Sequence, residues 1–256
     1  MSDHFEQRLS KLRNLVLREH RPIDGPYPRY AVFLSVSDGD RRARVTSGTA
    51  ATFEEAWSEA ERALRHEMQR TKVVGQWLRA DWVERVKQWT WRDLEDSLAR
   101  TKRNYFRFGL ALDRKLRTAF LEQELNANAM LYGGNTISHA VVNRKNFDLY
   151  ARVRYPNLPA ISFTADDEVF VLSTRGAFVD DHGHAFRLNP SGRNGGRRQI
   201  KSLDIAQVDA LIRDASSFLA AQVQADGRFV YGYHPCFDRQ IPANNTLRHA
   251  LTLKHI

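Results

Sequence analysis

The chain has 256 residues and a formal net charge of +9, with 42% hydrophobic and 27% charged residues. These fractions are typical of a folded soluble protein and exclude a wholly disordered one, and a chain of this length can bury a sizeable core. Its one cysteine, Cys236, excludes an intramolecular disulfide and favours a reducing compartment. Residues 1–20 mix acidic and basic side chains without an apolar run, so we expect a cytoplasmic protein with no signal peptide and no membrane span.

The positive net charge indicates which type of partner the chain could bind, but says little about its fold. Lys and Arg together number 39, against 30 for Asp and Glu. This balance suits an anionic partner such as nucleic acid, an acidic glycan or a phosphorylated ligand. A charge that only keeps the protein in solution explains the same totals.

Helices and hairpins are predicted to alternate in the first part of the chain, where apolar residues recur at helical spacing or every second position. Thr52 and Glu55 have the spacing of a capping box, so a helix is predicted to begin there. The apolar residues of 73–89 fit a helix or a strand, and their β-branched and aromatic character favours a strand. The other predicted elements are helices at 5–17, 90–99 and 122–131, the last closed by Gly133 and Gly134, a helix or loop at 135–150, and strands at 30–37, 41–47, 106–112 and 116–121.

Composition changes after Pro156 and Pro159, and we place a domain boundary near Tyr155. Residues 160–186 are predicted to form a meander of short strands with turns at 166–167, 175–176 and 181–183, and 189–198 a flexible linker. A helix is predicted at 205–223, capped by Leu203 and Asp204. We therefore expect an α+β protein: a domain of β-hairpins with interleaved helices at 1–155, then at 156–256 a strand-rich segment and a C-terminal helical hairpin.

The segment 226–249 concentrates polar, aromatic and titratable residues and is predicted to be the binding surface. Asp226 and Gly227 predict a turn, and every second residue of the strand that follows is aromatic. A helix beginning near Leu247 would carry Arg248 in its first turn, where a guanidinium can bind a carboxylate through two hydrogen bonds. The alternative is that the tyrosines are packed strand residues and the arginine only holds the loop. The predicted binding residues are Tyr231, Tyr233, His234, Asp238, Arg239, Asn245, Arg248 and His249.

A resemblance to a known family rests on this end of the chain. An amphipathic helix ending in Phe218 and Leu219, an Asp-Gly turn, an aromatic strand, a proline-bearing loop and the sequence AsnThrLeuArgHisAla at 245–250 follow one another. Together they resemble the first helical hairpin of (α/α)-toroid proteins, many of which process carbohydrates. The resemblance covers about 203–256 and implies further helical hairpins in a downstream domain, but it assigns no catalytic residue to this chain.

Basic runs elsewhere suggest a second function, sequence-tolerant binding of nucleic acid. Cations interleaved with aromatic side chains are typical of proteins that bind single strands. A solvated strand edge that charge protects from aggregation is the structural alternative. The candidate residues for this function are Lys102, Arg103, Tyr105, Arg107, Arg197, Arg198 and Lys201.

Three further groups contain residues of the types that carry out catalysis or bind metals. Cys236 beside His234 or His249 could form a nucleophile and base, but no third orienting group is evident. Asp180, Asp181, His182 and His184 offer metal ligands but have no remote third partner, and Glu122, Glu124, Asn126 and Asn128 fit an exposed helix start as well as an acid–base pair. No metal site is predicted, because a remote third ligand is missing. No cofactor is predicted either, and Gly133 and Gly134 do not belong to a phosphate loop, since phosphate-loop patterns do not occur.

These observations leave three functional hypotheses. The first is the recognition or catalytic part of a carbohydrate-processing or cell-envelope protein that binds an anionic glycan. The second is a sequence-tolerant nucleic-acid-binding protein. The third is a non-catalytic interaction domain of a multi-domain protein.

Overall fold

The computed structural model of the chain describes residues 3–39, 41–192, 194–200, 202–234 and 237–243. It divides into two compact units, Met1–Gln199 and Ile200–Ile256. The first unit contains α1 (Asp3–Leu17), β1 (Tyr30–Ser37), β2 (Arg44–Ala50), α2 (Phe53–Thr71), β3 (Trp77–Thr90), α3 (Trp91–Ala99), β4 (Gly109–Ala111), β5 (Ala119–Phe120), α4 (Glu122–Ala127), α5 (Arg144–Arg154), β6 (Glu168–Val179) and β7 (Ala185–Arg187). The second contains α6 (Ile205–Ala221), β8 (Tyr233–His234) and β9 (Arg239–Gln240).

A seven-stranded antiparallel sheet organises the first unit. Its order is β2-β1-β3-β6-β4-β5, and β7 pairs with β6. The two longest strands, β3 and β6, pair from Leu78 opposite Val179 to Thr90 opposite Glu168, with a shift of register between Val83 and Arg85. Irregularities of this kind bend a strand and increase its twist. The predicted α+β class is confirmed.

Both faces of the sheet are covered. Side chains of β1 alternate between two clusters, since Leu34 packs with the helices α1 and α2, whereas Phe33 packs with Phe170 and Leu172 on the opposite face. A third cluster joins α3 and α5 to β6 around Trp91, the largest of its side chains. The strand predicted within 73–89 is confirmed as β3, and its residues 80–83 are buried in succession.

Two predictions in the middle of the first unit are wrong. Residues 175–176 do not turn but lie inside β6, where a Cβ on Gly176 would be 2.8 Å from Oδ1 of Asp81. The glycine therefore marks a close approach of two strands. The helix predicted at 122–131 ends at Ala127, because Ala129 adopts a positive φ of 55° and Met130 donates back to the carbonyl of Leu125.

The neighbouring helix begins later than the sequence suggested. Asn143 caps α5, and its side-chain oxygen accepts a hydrogen bond of 3.0 Å from the amide of Asn146. Residues 189–198, predicted as a linker, belong to the first unit, where the amide of Asn189 donates to Arg197 over 2.7 Å and Gly196 donates back to Asn189 over 2.8 Å.

The division into units also differs from the boundary expected near Tyr155. Strand β6 pairs with both β3 and β4, so the residues after the boundary complete the sheet of the residues before it. In the second unit the side chain of Asp204 caps α6 by accepting a hydrogen bond of 2.8 Å from Gln207. The second helix of the predicted helical hairpin lies outside the described residues. Within the described part of the chain, no helix has the length and apolar character needed to cross a membrane.

Candidate functional site

The turn predicted at Asp226 and Gly227 reverses the chain after α6. Gly227 adopts a positive φ of 78°, and its amide donates to the carbonyl of Gln224. The carboxylate of Asp226 accepts hydrogen bonds from the amide and Nε of Arg228, at 3.0 and 2.7 Å. These contacts fix the start of the segment that carries Phe229 and Tyr231.

A cleft of about 370 Å³ lies against this segment in the second unit, and Tyr231 is 38% exposed on its wall. Two glutamine side chains line it, and Nε2 of Gln224 donates to Oε1 of Gln240 over 3.3 Å. The lining also includes Arg228, Phe229 and Pro242. The cleft therefore offers the face of an aromatic ring and amide groups that donate and accept hydrogen bonds.

Strands β8 and β9 place the remaining predicted residues of the hairpin. Tyr233 is half-buried, and its hydroxyl donates to the carboxylate of Asp238. The guanidinium of Arg239 lies 5.2 Å from the ring centre of Phe237, while His234 pairs with Arg239 across the two strands. Of the predicted set, only Tyr231 is among the described residues that line the cleft.

Part of the predicted site lies outside the described residues, namely Asn245, Arg248 and His249. The two glutamines of the cleft were missed by sequence reasoning. An amide side chain belongs to no motif, and Gln224 and Gln240 are 16 positions apart. Neither local spacing nor a motif indicates that the two side chains meet.

The residues proposed for nucleic-acid binding contact the protein itself. Nζ of Lys102 and the guanidinium of Arg107 lie 5.6 and 5.9 Å from the ring of Tyr105. Arg107 also pairs with Glu122, and Arg103 donates to the carbonyl of Gly134 over 2.9 Å. The hypothesis of a nucleic-acid surface stays a prediction.

The C-terminal members of the basic set are spread along the chain. The guanidinium of Arg198 lies 5.3 Å from the ring centre of Phe186, and the carbonyl of Arg197 accepts from Asn189. Lys201 lies outside the described residues.

The aspartates and histidines of 180–184 lie at a turn. No group of three or more His, Cys, Asp or Glu within them could hold a metal ion. Asp180 instead closes its own turn, since its carboxylate accepts from the amide of His184 over 2.7 Å. Cys236 lies outside the described residues.

The acids and amides of α4 are held by protein contacts. Glu124 is buried, and its carboxylate accepts from the amide of Leu121, the hydroxyl of Tyr150 and Nε of Arg154, at 2.8, 2.8 and 3.0 Å. Asn128 donates to the carbonyl of Glu124 over 2.8 Å. These contacts give the group a structural role.

No protein-family model, no curated protein and no solved structure matches this chain.

Proposed function

We propose that this chain recognises an anionic glycan in the cleft of the second unit. The observation that carries the proposal is the partly exposed ring of Tyr231, which lines the same cleft as the hydrogen-bonded amides of Gln224 and Gln240. The ring offers an apolar face to one side of a sugar, and the amides match its hydroxyl groups in both hydrogen-bonding directions.

The anionic character of the ligand is inferred from Arg228 and from the charge of the chain. Arg228 lines the cleft and keeps 62% of its side chain exposed while one side of its guanidinium pairs with Asp226. Its other N–H groups are directed away from that carboxylate, so they can meet a uronate or sulfate group. The net charge of +9 favours the encounter with such a ligand.

Recognition fits this cleft better than catalysis does. Its described lining residues include neither a carboxylate nor an imidazole nor a thiol, the groups that most often act as general acid, base or nucleophile. We therefore assign the cleft a binding role, as part of a carbohydrate-processing or cell-envelope protein.

Titration of the full chain with uronate-containing oligosaccharides and with their neutral counterparts tests the proposal. Tyr231→Ala removes the stacking face and is expected to weaken binding about tenfold, which corresponds to about 1.4 kcal/mol. Tyr231→Phe keeps the ring, so its dissociation constant should stay within about twofold of that of the unaltered chain, a much smaller change than the tenfold loss in Tyr231→Ala. Arg228→Gln should weaken binding of the acidic oligosaccharides only.

Tyr105→Ala is the matched control, because this tyrosine is also exposed but belongs to the first unit. It should leave glycan affinity unchanged. A Tyr231→Ala chain that folds and binds acidic oligosaccharides as tightly as the unaltered chain contradicts the proposal and leaves a non-catalytic interaction domain as the better interpretation.

A further inference from the structure

A second cleft lies entirely within the first unit, where the start of β2 meets the last turns of α2 and α5. Its volume is about 670 Å³. We call it the arginine cleft, after the five arginines that line it, which are Arg42, Arg44, Arg70, Arg152 and Arg154. The one carboxylate among its described lining residues is Glu67.

Two of these arginines pair with a carboxylate of their own helix. Arg70 pairs with Glu67 over 2.7 Å and Arg152 with Asp148 over 2.9 Å. Cations in the last turn of a helix also complement its dipole, which accounts for their positions in α2 and α5. Arg42 and Arg44 stand before and at the start of β2 and bring two more guanidinium groups to the cleft.

Arg154 is a largely buried arginine of the cleft, and protein contacts hold it in place. Its side chain is 10% exposed, and Nε donates to Glu124, whose carboxylate is fixed by Tyr150 as well. Nη2 of Arg154 is buried and has no hydrogen-bond partner among the described residues. A buried charged donor without an acceptor costs free energy, so an acceptor supplied from the cleft would stabilise this arrangement.

Protonation favours an anion as this acceptor. Burial alone would lower the pKa of Arg154, but the charge of Glu124 and its hydrogen bond raise it, so the guanidinium stays charged. Burial, and after it the charge of Glu124, raises the pKa of Tyr150 well above its ordinary value. Tyr150 therefore stays neutral and adds no negative charge to the wall of the cleft.

Size and donor geometry indicate the class of ligand. Guanidinium groups bind the oxygens of phosphate and carboxylate through two parallel hydrogen bonds. The cleft falls within the size range of small-molecule sites, roughly 300–1,000 Å³, and exceeds what one inorganic ion would fill. Arg42 lies 5.5 Å from the ring centre of Tyr150, which holds its guanidinium at the wall.

We infer that the arginine cleft of the first unit is a binding site for a phosphorylated small molecule, whose phosphate oxygens meet Arg154 and the arginines at the start of β2. The arginine cleft and the glycan cleft share no lining residue among those described. Glycan binding and phosphate binding can therefore fail separately.

Calorimetric titration of the full chain with pyrophosphate, inorganic phosphate and citrate, at constant ionic strength, tests the inference. Pyrophosphate is expected to bind more tightly than phosphate, because its two phosphate groups can reach more of the arginines, and more tightly than citrate. Arg44→Gln and Arg42→Gln should each raise the dissociation constant for pyrophosphate about tenfold, the effect of losing a charged hydrogen bond.

Arg92→Gln is the matched control, since Arg92 is an exposed arginine on α3 that pairs with Asp166 outside the cleft. It should change the dissociation constant by less than about twofold, a difference far below that of a lost contact. Tyr231→Ala should leave pyrophosphate binding unchanged.

Four results would overturn the inference. They are the absence of pyrophosphate binding at millimolar concentration, an unchanged dissociation constant in both cleft variants, an equal loss in Arg92→Gln, and citrate binding as tight as that of pyrophosphate. The third would indicate diffuse charge, and the fourth a carboxylate ligand. The thermal midpoint of unfolding is measured for each variant. The test relies on the cleft variant, Arg42→Gln or Arg44→Gln, whose midpoint equals that of the unaltered chain.

Discussion

A single histidine couples the stability of the first unit to pH. His20 stacks on Phe53 with ring centres 4.1 Å apart, and the edge of its ring meets Tyr30 at 5.3 Å. Its Nδ1 is buried without a hydrogen-bond partner in the described part of the chain. Burial lowers the pKa of His20, Glu54 opposes this shift, and Arg21 adds to it. The folded state therefore favours the neutral form of this imidazole more than the unfolded state does.

The free energy of unfolding should fall as the medium becomes acidic. The unfolded chain protonates His20 near its ordinary pKa of about 6.5, whereas the folded chain does so only at a lower pH. Between these two values the unfolded state binds more protons, so stability present above about pH 6.5 is lost as the pH falls through the folded pKa. Urea unfolding at about pH 8 and about pH 5 measures the loss, which His20→Phe should reduce.

His182→Gln serves as the control, because the ring of His182 is exposed and its replacement should leave the pH dependence as it was. Equal losses of stability on acidification in the unaltered chain and in His20→Phe would exclude the role assigned to His20.

Single residues show where sequence reasoning reached the site and where it stopped. The turn at Asp226 and Gly227 and the exposed ring of Tyr231 follow from local patterns of turn residues and alternation. The sequence did not indicate Arg154, because its role depends on Glu124, 30 positions away, and on Nη2, which has no hydrogen-bond partner among the described residues. Local spacing carries no information about either.

At the scale of elements, one glycine sets the distance between β2 and α2. A Cβ on Gly48 would lie 2.1 Å from the carbonyl oxygen of Ala56 and 2.7 Å from the amide nitrogen of Ala60. The hydroxyl of Thr46 donates to the carbonyl of Ala60 over 2.9 Å, so strand and helix meet at backbone distance. The small residues of α2 make this approach possible.

Gly48→Ala should destabilise the first unit by about 3 kcal/mol, at the upper end of the usual range for overpacking, because both clashing atoms belong to backbone that cannot rotate away. Chemical unfolding monitored by tryptophan fluorescence measures the change. Ala51→Ser, which adds one heavy atom at an exposed position between the same two elements, should stay within about 0.5 kcal/mol of the unaltered chain. Equal stabilities of the two variants would show that α2 can move away from the sheet at little cost.

Elements with a strong local signal were predicted well. The helices α1, α2 and α6 follow from apolar spacing, and Thr52 caps α2 as its position suggested. Strand β6 was divided in two because a glycine in a sequence usually marks a turn, whereas Gly176 marks the approach of Asp81 from another strand. The early end of α4 depends on Ala129, a residue type that gives no warning of a positive φ.

At the scale of the whole molecule, the buried apolar residues among those described are concentrated in the first unit. All three hydrophobic clusters lie within it, whereas α6 of the second unit has no buried residue among those described. Composition placed a boundary near Tyr155 because it records the change from helix-rich to strand-rich sequence. The extent of a compact unit depends instead on which strands pair. Strand β6 pairs with β3 and β4, both of which precede Tyr155 in the chain.

A chain truncated after Gln199 should therefore fold, and one truncated after Tyr155 should not. The shorter chain loses β6, which lies between β3 and β4 in the sheet and contributes Val169, Phe170 and Leu172 to the core. All five tryptophans precede Tyr155, so tryptophan fluorescence reports on the same residues in all three chains. The chain 1–199 should keep the spectra and the cooperative urea transition of the full chain, while the chain 1–155 should show neither. A cooperative transition in 1–155, or its loss in 1–199, would place the unit boundary elsewhere than the pairing of β6 requires.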